Sequence, residues 1–172
     1  SVDLIITSPP YYSLRSYTDD GQHYDGQIGD EPTPADYLDA LLAATKEMVR
    51  VLKPEGSIWV NLGDKYAGSG NGDTDFTGQG ARDGNRRSRP GAVPGIRQKS
   101  LIGLPWRYAI RCIDELGLIL RAEVIWQKIN SLPESVTDRV RRSHETWFHF
   151  TVQQQYYAAV DEVREPHKEV SV

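Results

Sequence analysis

The first 62 residues contain an apolar segment, a long amphipathic helix and a second apolar segment, and this order restricts the possible fold more than any other feature. Val2–Thr7 is an apolar run typical of a strand buried on both faces, as in a parallel sheet. The helix after it has the length needed to cross over between two parallel strands, and "GSIWVNLGD" follows as the second strand. We therefore expect an α/β fold built on a strand, helix, strand unit.

The helix in this unit carries start and stop signals. Thr33 is the expected N-cap with Asp36 three residues later, Pro34 fits the first helical position, and Lys53-Pro54 followed by Gly56 marks the end. One face of the helix is apolar and should pack on the sheet. Its members are Tyr37, Leu38, Leu41, Leu42, Met48, Val49 and Leu52.

The rest of the chain predicts one further helix and two further strands. "LPWRYAIRCIDELG" is a helix ending at Gly117, "LILRAEVIWQK" is a strand, and "HETWFHFTV" alternates as a last strand. Residues 66–99 form an inserted loop rich in Gly and Arg, of a length that indicates function or disorder. We expect a catalytic region at 1–152 and a polar C-terminal tail at 153–172.

Composition excludes several classes of protein. With 172 residues, of which 38% are hydrophobic, the chain is long enough for one domain. It contains no apolar run of membrane-spanning length and no export signal, so we expect a cytoplasmic protein that does not bind a membrane. The single cysteine, Cys112, predicts a core residue and neither a disulfide nor a metal site. Because Ser1 opens directly on a strand without Met, we expect a piece of a longer protein.

The first strand ends in Ser8-Pro9-Pro10-Tyr11, and this segment predicts a ligand site. The two prolines remove two N–H donors and hold the backbone extended, which leaves carbonyl oxygens and the Ser8 hydroxyl as acceptors. Tyr11 adds a flat ring beside them. In open α/β sheets ligands bind beyond the carboxyl ends of strands, so a guest with an amino group and a ring would fit here.

"TSPPYY" at Thr7–Tyr12 resembles the signature (D/N/S)PP(Y/F) of DNA amino-methyltransferases that use S-adenosylmethionine. The segments "LKPEGSIWVNLGD", "LIGLPWRYAI", "LRAEVIWQK" and "SHETWFHFT" are also similar to this family, so the resemblance covers about Val2 to Thr151. It implies a Rossmann-like methyltransferase sheet with flanking helices. The form with Ser in the first place favours N4 of cytosine, and N6 of adenine is the alternative.

The resemblance also implies a role for each residue of the signature. The Ser8 hydroxyl and the Pro9 carbonyl would bind the exocyclic amine, with Pro10 completing the turn and Tyr11 stacking on a base flipped out of double-stranded DNA. Methyl transfer would be direct, by positioning and electrostatics. Cys112 does not follow a proline, which argues against the covalent chemistry of 5-methylcytosine enzymes.

Positive side chains are concentrated in two segments of this acidic chain, whose net charge is -4. We expect the first segment to contact phosphates, with a solvated loop as the alternative, and we add Arg15 and His144 to the candidate DNA contacts. The first segment contributes Arg82, Arg86, Arg87, Arg89, Arg97 and Lys99. The second contains Arg139, Arg141 and Arg142. Asn61 and Asp64, near the end of the second strand, could serve the target base or simply cap a turn.

The sequence departs from the family where the methyl donor should bind. No segment resembling "HPTQKP" or the "FxGSGT" loop follows Val152, and the glycines at 67–70 follow "NLGDKY" and open no helix, so they do not replace that loop. We therefore expect an incomplete sheet whose cofactor half is not in this chain, and we assign no cofactor-binding residue.

Three other functions remain open at this point. A DNA-binding remnant without a donor site would keep the base pocket and the basic loop. Related enzymes that methylate RNA or protein amides more often carry Asn in the Ser8 position. "PPYY" at 9–12 also fits the PPxY peptides bound by WW domains, but those are exposed and disordered, whereas here a strand precedes. A cognate restriction enzyme is a possible partner; the target sequence and the oligomeric state are not determined by the sequence.

Overall fold

A computed structural model describes residues 1–14, 18–19, 22–23, 26–68, 93–130 and 136–165. Its strands are β1 Val2–Thr7, β2 Thr18–Asp19, β3 Gln22–His23, β4 Leu52–Leu62, β5 Ile119–Gln127 and β6 His144–Thr151. Its helices are α1 Pro34–Val51 and α2 Leu104–Leu116, with a short 3-10 helix at Val160–Val163. None of the helices in these residues is long and apolar enough to cross a membrane.

Four strands form the main sheet in the order β1-β4-β6-β5. β1 and β4 are parallel, as the strand, helix, strand unit predicts, whereas β6 lies antiparallel between β4 and β5. β2 and β3 pair separately as a small antiparallel sheet. The predicted α/β class is confirmed.

Helix α1 begins as the sequence predicts. Thr33 Oγ1 accepts a hydrogen bond from the Asp36 N–H at 3.1 Å and donates to the Asp36 carboxylate at 2.7 Å. The helix ends at Val51, and the backbone of Leu52 is already extended and begins β4. The second strand therefore starts four residues before Gly56, so that the predicted stop residues lie within it.

The core lies between the two helices and one face of the sheet. α2 ends at Gly117, which has a φ of +65° and so adopts the left-handed conformation that glycine favours. Cys112 is fully buried in this layer, as predicted. The innermost side chains have at most 2% of their surface exposed and include Tyr37, Ile58, Val60, Leu62, Tyr108, Phe148 and Phe150.

The other face of the sheet is partly uncovered, which differs from the prediction for β1. Leu4 and Ile6 on β1 have 50% and 62% of their surface exposed. Helices α1 and α2 contribute to the opposite layer, so within the described part of the chain they cover only one face of β1. At the far end of the uncovered side, Tyr156 packs edge-on against His149 of β6 with ring centroids 5.3 Å apart. The segment after β6 therefore covers a part of this face.

Candidate active site

Three side chains meet where β1 and β4 end side by side. Tyr11 donates its hydroxyl hydrogen to Asn61 Oδ1 at 2.6 Å, and Ser8 Oγ donates to the same oxygen at 3.2 Å. Asn61 has only 1% of its surface exposed. Two residues of the predicted site therefore lie together, and Asn61 joins them.

The surroundings of Asn61 fix the orientation of its amide. Its Nδ2 donates to the Thr146 carbonyl of β6 at 3.2 Å, so the amide oxygen faces the two hydroxyl groups. Because Ser8 directs its hydrogen to Asn61, the lone pairs of Ser8 Oγ remain available to accept a further hydrogen bond. Asn61 therefore orients the Ser8 hydroxyl as an acceptor.

The ring of Tyr11 lies directly against Gly63. A Cβ atom at position 63 would be 2.6 Å from Cε2 and 2.8 Å from Cδ2 of this ring, so only glycine leaves room for it. Burial, helped by the nearby Glu145 carboxylate, raises the pKa of Tyr11 to about 12. The Tyr11 hydroxyl therefore stays protonated at neutral pH and can donate its hydrogen bond to Asn61.

The carbonyl groups of the two prolines have different surroundings. Tyr37, buried on α1, donates its hydroxyl hydrogen to the Pro10 carbonyl at 2.9 Å. Within the part of the chain that the structure describes, no hydrogen bond is made to the Pro9 carbonyl. Pro10 thus anchors the turn to α1, while Pro9 and Ser8 supply acceptors that can serve a guest.

Lys65 holds the turn that follows Tyr11. Its Nζ donates to the Ser13 carbonyl at 2.7 Å, and the Ser13 N–H donates to the Gly29 carbonyl at 2.7 Å. Burial lowers the pKa of Lys65 to about 8. The turn is therefore fixed from two sides, and a partly desolvated amine lies next to it.

Asp64 has a structural role in this arrangement. Its carboxylate accepts hydrogen bonds from the N–H groups of Gly103 at 2.9 Å and Leu104 at 3.0 Å, at the start of α2. Gly103, the N-cap of α2, has no side chain with which to cap the helix. Asp64 therefore caps α2 from a distant segment, which is the turn-capping alternative raised by the sequence.

Two of the predicted DNA contacts lie on an exposed segment just before α2. Arg97 and Lys99 are both exposed, and Lys99 Nζ forms an ion pair with Asp138 at 2.7 Å. The Lys99 N–H also donates to the Ala67 carbonyl at 2.9 Å, so this segment runs beside the residues that follow β4. The remaining predicted arginines lie outside the described residues: Arg15, Arg82, Arg86, Arg87 and Arg89.

The second basic segment approaches the same end of the sheet. The Arg139 guanidinium lies 4.1 Å from the centre of the Tyr66 ring, and Arg142 Nη1 donates to the Asp64 carbonyl at 3.2 Å. His144 is exposed at the first position of β6, two residues before Thr146. Among the described residues, Arg139 and Arg142 thus contact residues that follow β4, the strand that carries Asn61.

Comparisons with known proteins establish the family of this chain. The family model described as DNA methylase, for N6 and N4 enzymes, matches residues 2–172. The chain belongs to the DNA methylase family. Type II methyltransferases M.Cfr9I of Citrobacter freundii and M.XycI of Xanthomonas campestris pv. cyanopsidis are 40% and 39% identical to it, each over 96% of this chain and 53% of their own length. This methylase chain therefore spans about half the length of the curated relatives it matches.

The fold is also that of a methyltransferase. A solved PvuII DNA methyltransferase, described as cytosine-N4-specific, superimposes with a TM-score of 0.63 over 95% of this chain and 46% of its own, at 21% identity. At this identity the likeness is one of fold. The expectation of a Rossmann-like methyltransferase sheet is confirmed, and so is the resemblance to the amino-methyltransferases.

Sequence reasoning named one of the two residues that support Ser8 and Tyr11 and missed the other. Asn61 was grouped with Asp64 as a possible active-site residue, and its signal was a polar side chain inside the apolar strand "WVNLG". Gly63 gave no signal of its own, because the need for glycine depends on where the Tyr11 ring lies. Only the three-dimensional arrangement shows that Asn61 contacts Ser8 and Tyr11 and that Gly63 lies against the Tyr11 ring.

Proposed function

We propose that this chain carries the base-binding and catalytic part of an S-adenosylmethionine-dependent DNA methyltransferase that methylates the exocyclic amino group of a flipped base, N4 of cytosine. The observation that carries the proposal is the orientation of Ser8 by Asn61, which leaves an acceptor at the end of β1. Family membership supports the reaction class.

The proposed chemistry depends on acceptors placed around the amine. The lone pair of an exocyclic amino group is delocalised into the ring, so the nitrogen is a weak nucleophile. Hydrogen bonds from its two N–H groups to Ser8 Oγ and the Pro9 carbonyl would hold the nitrogen and localise that pair. Asn61 is uncharged, and the Ser8 hydroxyl donates its hydrogen bond to Asn61. These residues therefore position the amine and do not act as a strong base.

Tyr11 would provide the surface on which the flipped base stacks. Its ring is fixed by Gly63 on one side and by the hydroxyl bond to Asn61. A flipped base needs such a fixed aromatic surface, because it loses the stacking of the duplex. Ser8 in the first place of the signature is the reason for preferring cytosine over adenine.

The described residues do not fit the methyl donor. Asp64, the acidic side chain directly after β4, has its carboxylate engaged with the N–H groups at the start of α2, and Glu145 forms an ion pair with Lys128 at 3.0 Å. S-adenosylmethionine would supply the methyl group, and we propose that it is held by residues outside the described part.

Double-stranded DNA is the proposed substrate, and the basic segments support it. Arg97 is exposed, and Arg139 and Arg142 border the strand-end residues Tyr66 and Asp64. Phosphate contacts of this kind position a duplex without reading its sequence. The binding of DNA should weaken steeply as salt is added.

The test is to incubate duplex DNA and radiolabelled S-adenosylmethionine with this chain, alone and together with the part of the Citrobacter freundii relative that lies outside the match. The product is digested and the methylated nucleoside identified. We expect N4-methylcytosine, and N6-methyladenine would move the proposal to adenine. If neither mixture labels DNA, the enzymatic function is wrong.

Matched variants show whether the label depends on the proposed site. Ser8→Ala and Tyr11→Ala should lower methyl transfer by about a hundred-fold or more, since small displacements of reacting groups have effects of this size. Ser100→Ala and Tyr157→Ala remove the same groups from exposed positions and should not change the rate. Equal activity in all four variants would place the chemistry elsewhere.

A further inference from the structure

Lys65 is a half-buried lysine that the proposed chemistry does not use. Its Nζ donates to the Ser13 carbonyl at 2.7 Å. Its own backbone is fixed, because its N–H donates to the Asp64 carboxylate at 2.9 Å and its carbonyl accepts from the Ile102 N–H at 2.9 Å. The amine therefore reaches Ser13 from a fixed point just beyond the end of β4.

Ser13 has a backbone conformation that residues other than glycine rarely adopt. Its φ is +51°, in the left-handed region. It lies in a turn closed by the hydrogen bond from the Leu14 N–H to the Tyr11 carbonyl at 3.2 Å, which we call the Ser13 turn. A strained backbone of this kind persists only where its surroundings hold it. Lys65 bonds the carbonyl of Ser13 and Gly29 accepts from its N–H, so the residue is held from two sides.

The Ser13 turn begins at Tyr11, so its geometry affects where the Tyr11 ring lies. Three alternate residues at the end of β4 contact this part of the chain. Asn61 accepts from the Tyr11 hydroxyl, Gly63 lies against the ring, and Lys65 bonds Ser13. Asn61 and Gly63 act on the side chain of Tyr11, whereas Lys65 acts on the backbone that carries it.

We propose that Lys65 is a positioning residue, which keeps the Tyr11 ring beside Asn61 by holding the carbonyl of the strained Ser13 turn. Without this bond the backbone of Ser13 can relax toward negative φ, and the ring then leaves its position. The consequence for a flipped base rests on the proposed function, whereas the effect of Lys65 on the Tyr11 ring does not.

The surroundings of Lys65 determine how its bond should respond to pH. The Asp64 carboxylate is engaged with N–H groups, Arg142 donates to the Asp64 carbonyl, and the Glu31 carboxylate accepts from the Gly29 N–H at 2.8 Å. Burial lowers the pKa of Lys65 from 10.5 to about 8. The buried position therefore favours the neutral amine, which still donates a hydrogen bond, and the ammonium favours water. The held state should gain as the pH rises from about 8 toward 10.5.

The first test measures the Ser13 turn without DNA or a methyl donor. Lys65→Met should speed hydrogen exchange of the Ser13 and Leu14 amides by about ten-fold or more and shift the ring NMR signals of Tyr11, assigned with Tyr11→Phe. Unchanged exchange in α1 shows that the variant is folded. Lys46→Met, at an exposed position of α1, is the matched control and should change neither readout. Unchanged Tyr11 signals in Lys65→Met would overturn the proposal.

A second substitution separates positioning from a general loss of stability. In the Lys65→Met variant, Ser13→Gly removes the strain, because glycine adopts a positive φ readily. It should restore most of the protection of the Leu14 amide and return the Tyr11 signals toward their original positions. Ser13→Ala removes the same hydroxyl but keeps the strain, so it should restore neither. Equal results for glycine and alanine would contradict the proposal.

The pH profile gives a readout of stated sign. Protection factors of the Ser13 and Leu14 amides, which correct for intrinsic exchange, should rise about five- to ten-fold between pH 7.5 and 9. The Tyr11 hydroxyl, with a pKa of about 12, does not titrate in this range. Lys65→Met should lack the rise, and a fall in the wild type would overturn the proposal.

Methyl transfer connects Lys65 to the proposed function. In the assay that includes the unmatched part of the Citrobacter freundii relative, Lys65→Met should lower kcat/KM about ten-fold, and Ser13→Gly should restore most of it. Equal kcat/KM in Lys65→Met and the wild type would overturn the proposal. So would a salt dependence of DNA binding whose slope falls by about one in Lys65→Met, because the amine would then contact a phosphate. If even the wild type labels no DNA, the proposed function fails, and the Tyr11 signals with the Ser13→Gly variant still decide the role of Lys65.

Discussion

On the face of the main sheet covered by α1 and α2, Ile58 and Phe150 have essentially no exposed surface, whereas Ile6 on the uncovered face has 62% of its surface exposed. The polar groups differ as well. On the covered side, the buried hydroxyl groups of Thr45 and Tyr108 are hydrogen-bonded to each other at 2.7 Å. The other side of the sheet carries Asn61, which orients the Ser8 hydroxyl so that its oxygen can accept a further hydrogen bond. The buried core and the residues of the proposed site therefore lie on opposite sides of one sheet.

The largest expected difference between the two faces is in the energy of truncation. Phe150→Ala should lower the free energy of unfolding by about 3–5 kcal/mol, because it opens a cavity among Tyr108 and Phe148. Trp126→Ala, on the uncovered face, should lower the free energy of unfolding by less than about 1 kcal/mol. Urea unfolding of the two variants measures both values, and equal losses would show that the uncovered face is part of the folding core.

A change at Gly63 should affect activity much more than stability. Gly63→Ala places a Cβ 2.6 Å from the Tyr11 ring, so the ring must move away from its position beside Asn61. We expect methyl transfer to fall about a hundred-fold in the assay that includes the unmatched part of the Citrobacter freundii relative. Ala67→Gly, a one-carbon change at a neighbouring buried site, controls for general effects of substitution; unchanged activity in Gly63→Ala would show that the ring position does not matter.

The stability of the protein should depend on the buried hydrogen bond between Thr45 and Tyr108. Thr45 Oγ1 donates to the Leu41 carbonyl, so it accepts from the Tyr108 hydroxyl. Thr45→Val leaves that hydroxyl without this acceptor and should lower the free energy of unfolding by about 1–3 kcal/mol. Adding Tyr108→Phe should restore most of the loss, and a further loss in the double variant would contradict the pairing.

The smallest expected effect is a pH dependence on the other side of the sheet. His149 stacks on Trp59 with ring centroids 4.3 Å apart, and burial, with the charge of Arg121 as a second cause, lowers its pKa below 6.5. The folded protein therefore resists protonation of this ring, and its contribution to stability, present above pH 6.5, is lost as the pH falls through the lowered pKa. Unfolding of the wild type and of His149→Gln between pH 7.5 and 5 should show a smaller acid loss in the variant; parallel curves would exclude His149.

The sequence predicted the elements well because local signals determine them. The Thr33 cap, the end of α2 at Gly117 and the parallel β1–β4 pair all follow from short-range patterns. The position of β6 between β4 and β5 has no such signal, because strand order depends on contacts between distant segments. The exposure of β1 could not be read from an apolar run either, since the run shows what a strand can bury and not what covers it.

The same limit applies to the site. Ser8 to Tyr11 stand out as a contiguous motif, and their position at a strand end follows from the strand before them. Asn61 is 53 residues from Ser8 in sequence, and Gly63 is defined by a ring it contacts only in three dimensions. A motif identifies the groups that face a guest, whereas the groups that orient them come from the neighbouring strand.

Asn61 joins three separate segments, since it accepts from Ser8 after β1, lies on β4 and donates to Thr146 of β6. A shift of β6 by one residue would turn alternate side chains to the wrong face and move that carbonyl away from Nδ2. The Asn61 amide would then lose the bond that fixes its orientation, and Ser8 would lose its oriented acceptor. The amide thus couples the orientation of the Ser8 hydroxyl to the register of β6 against β4.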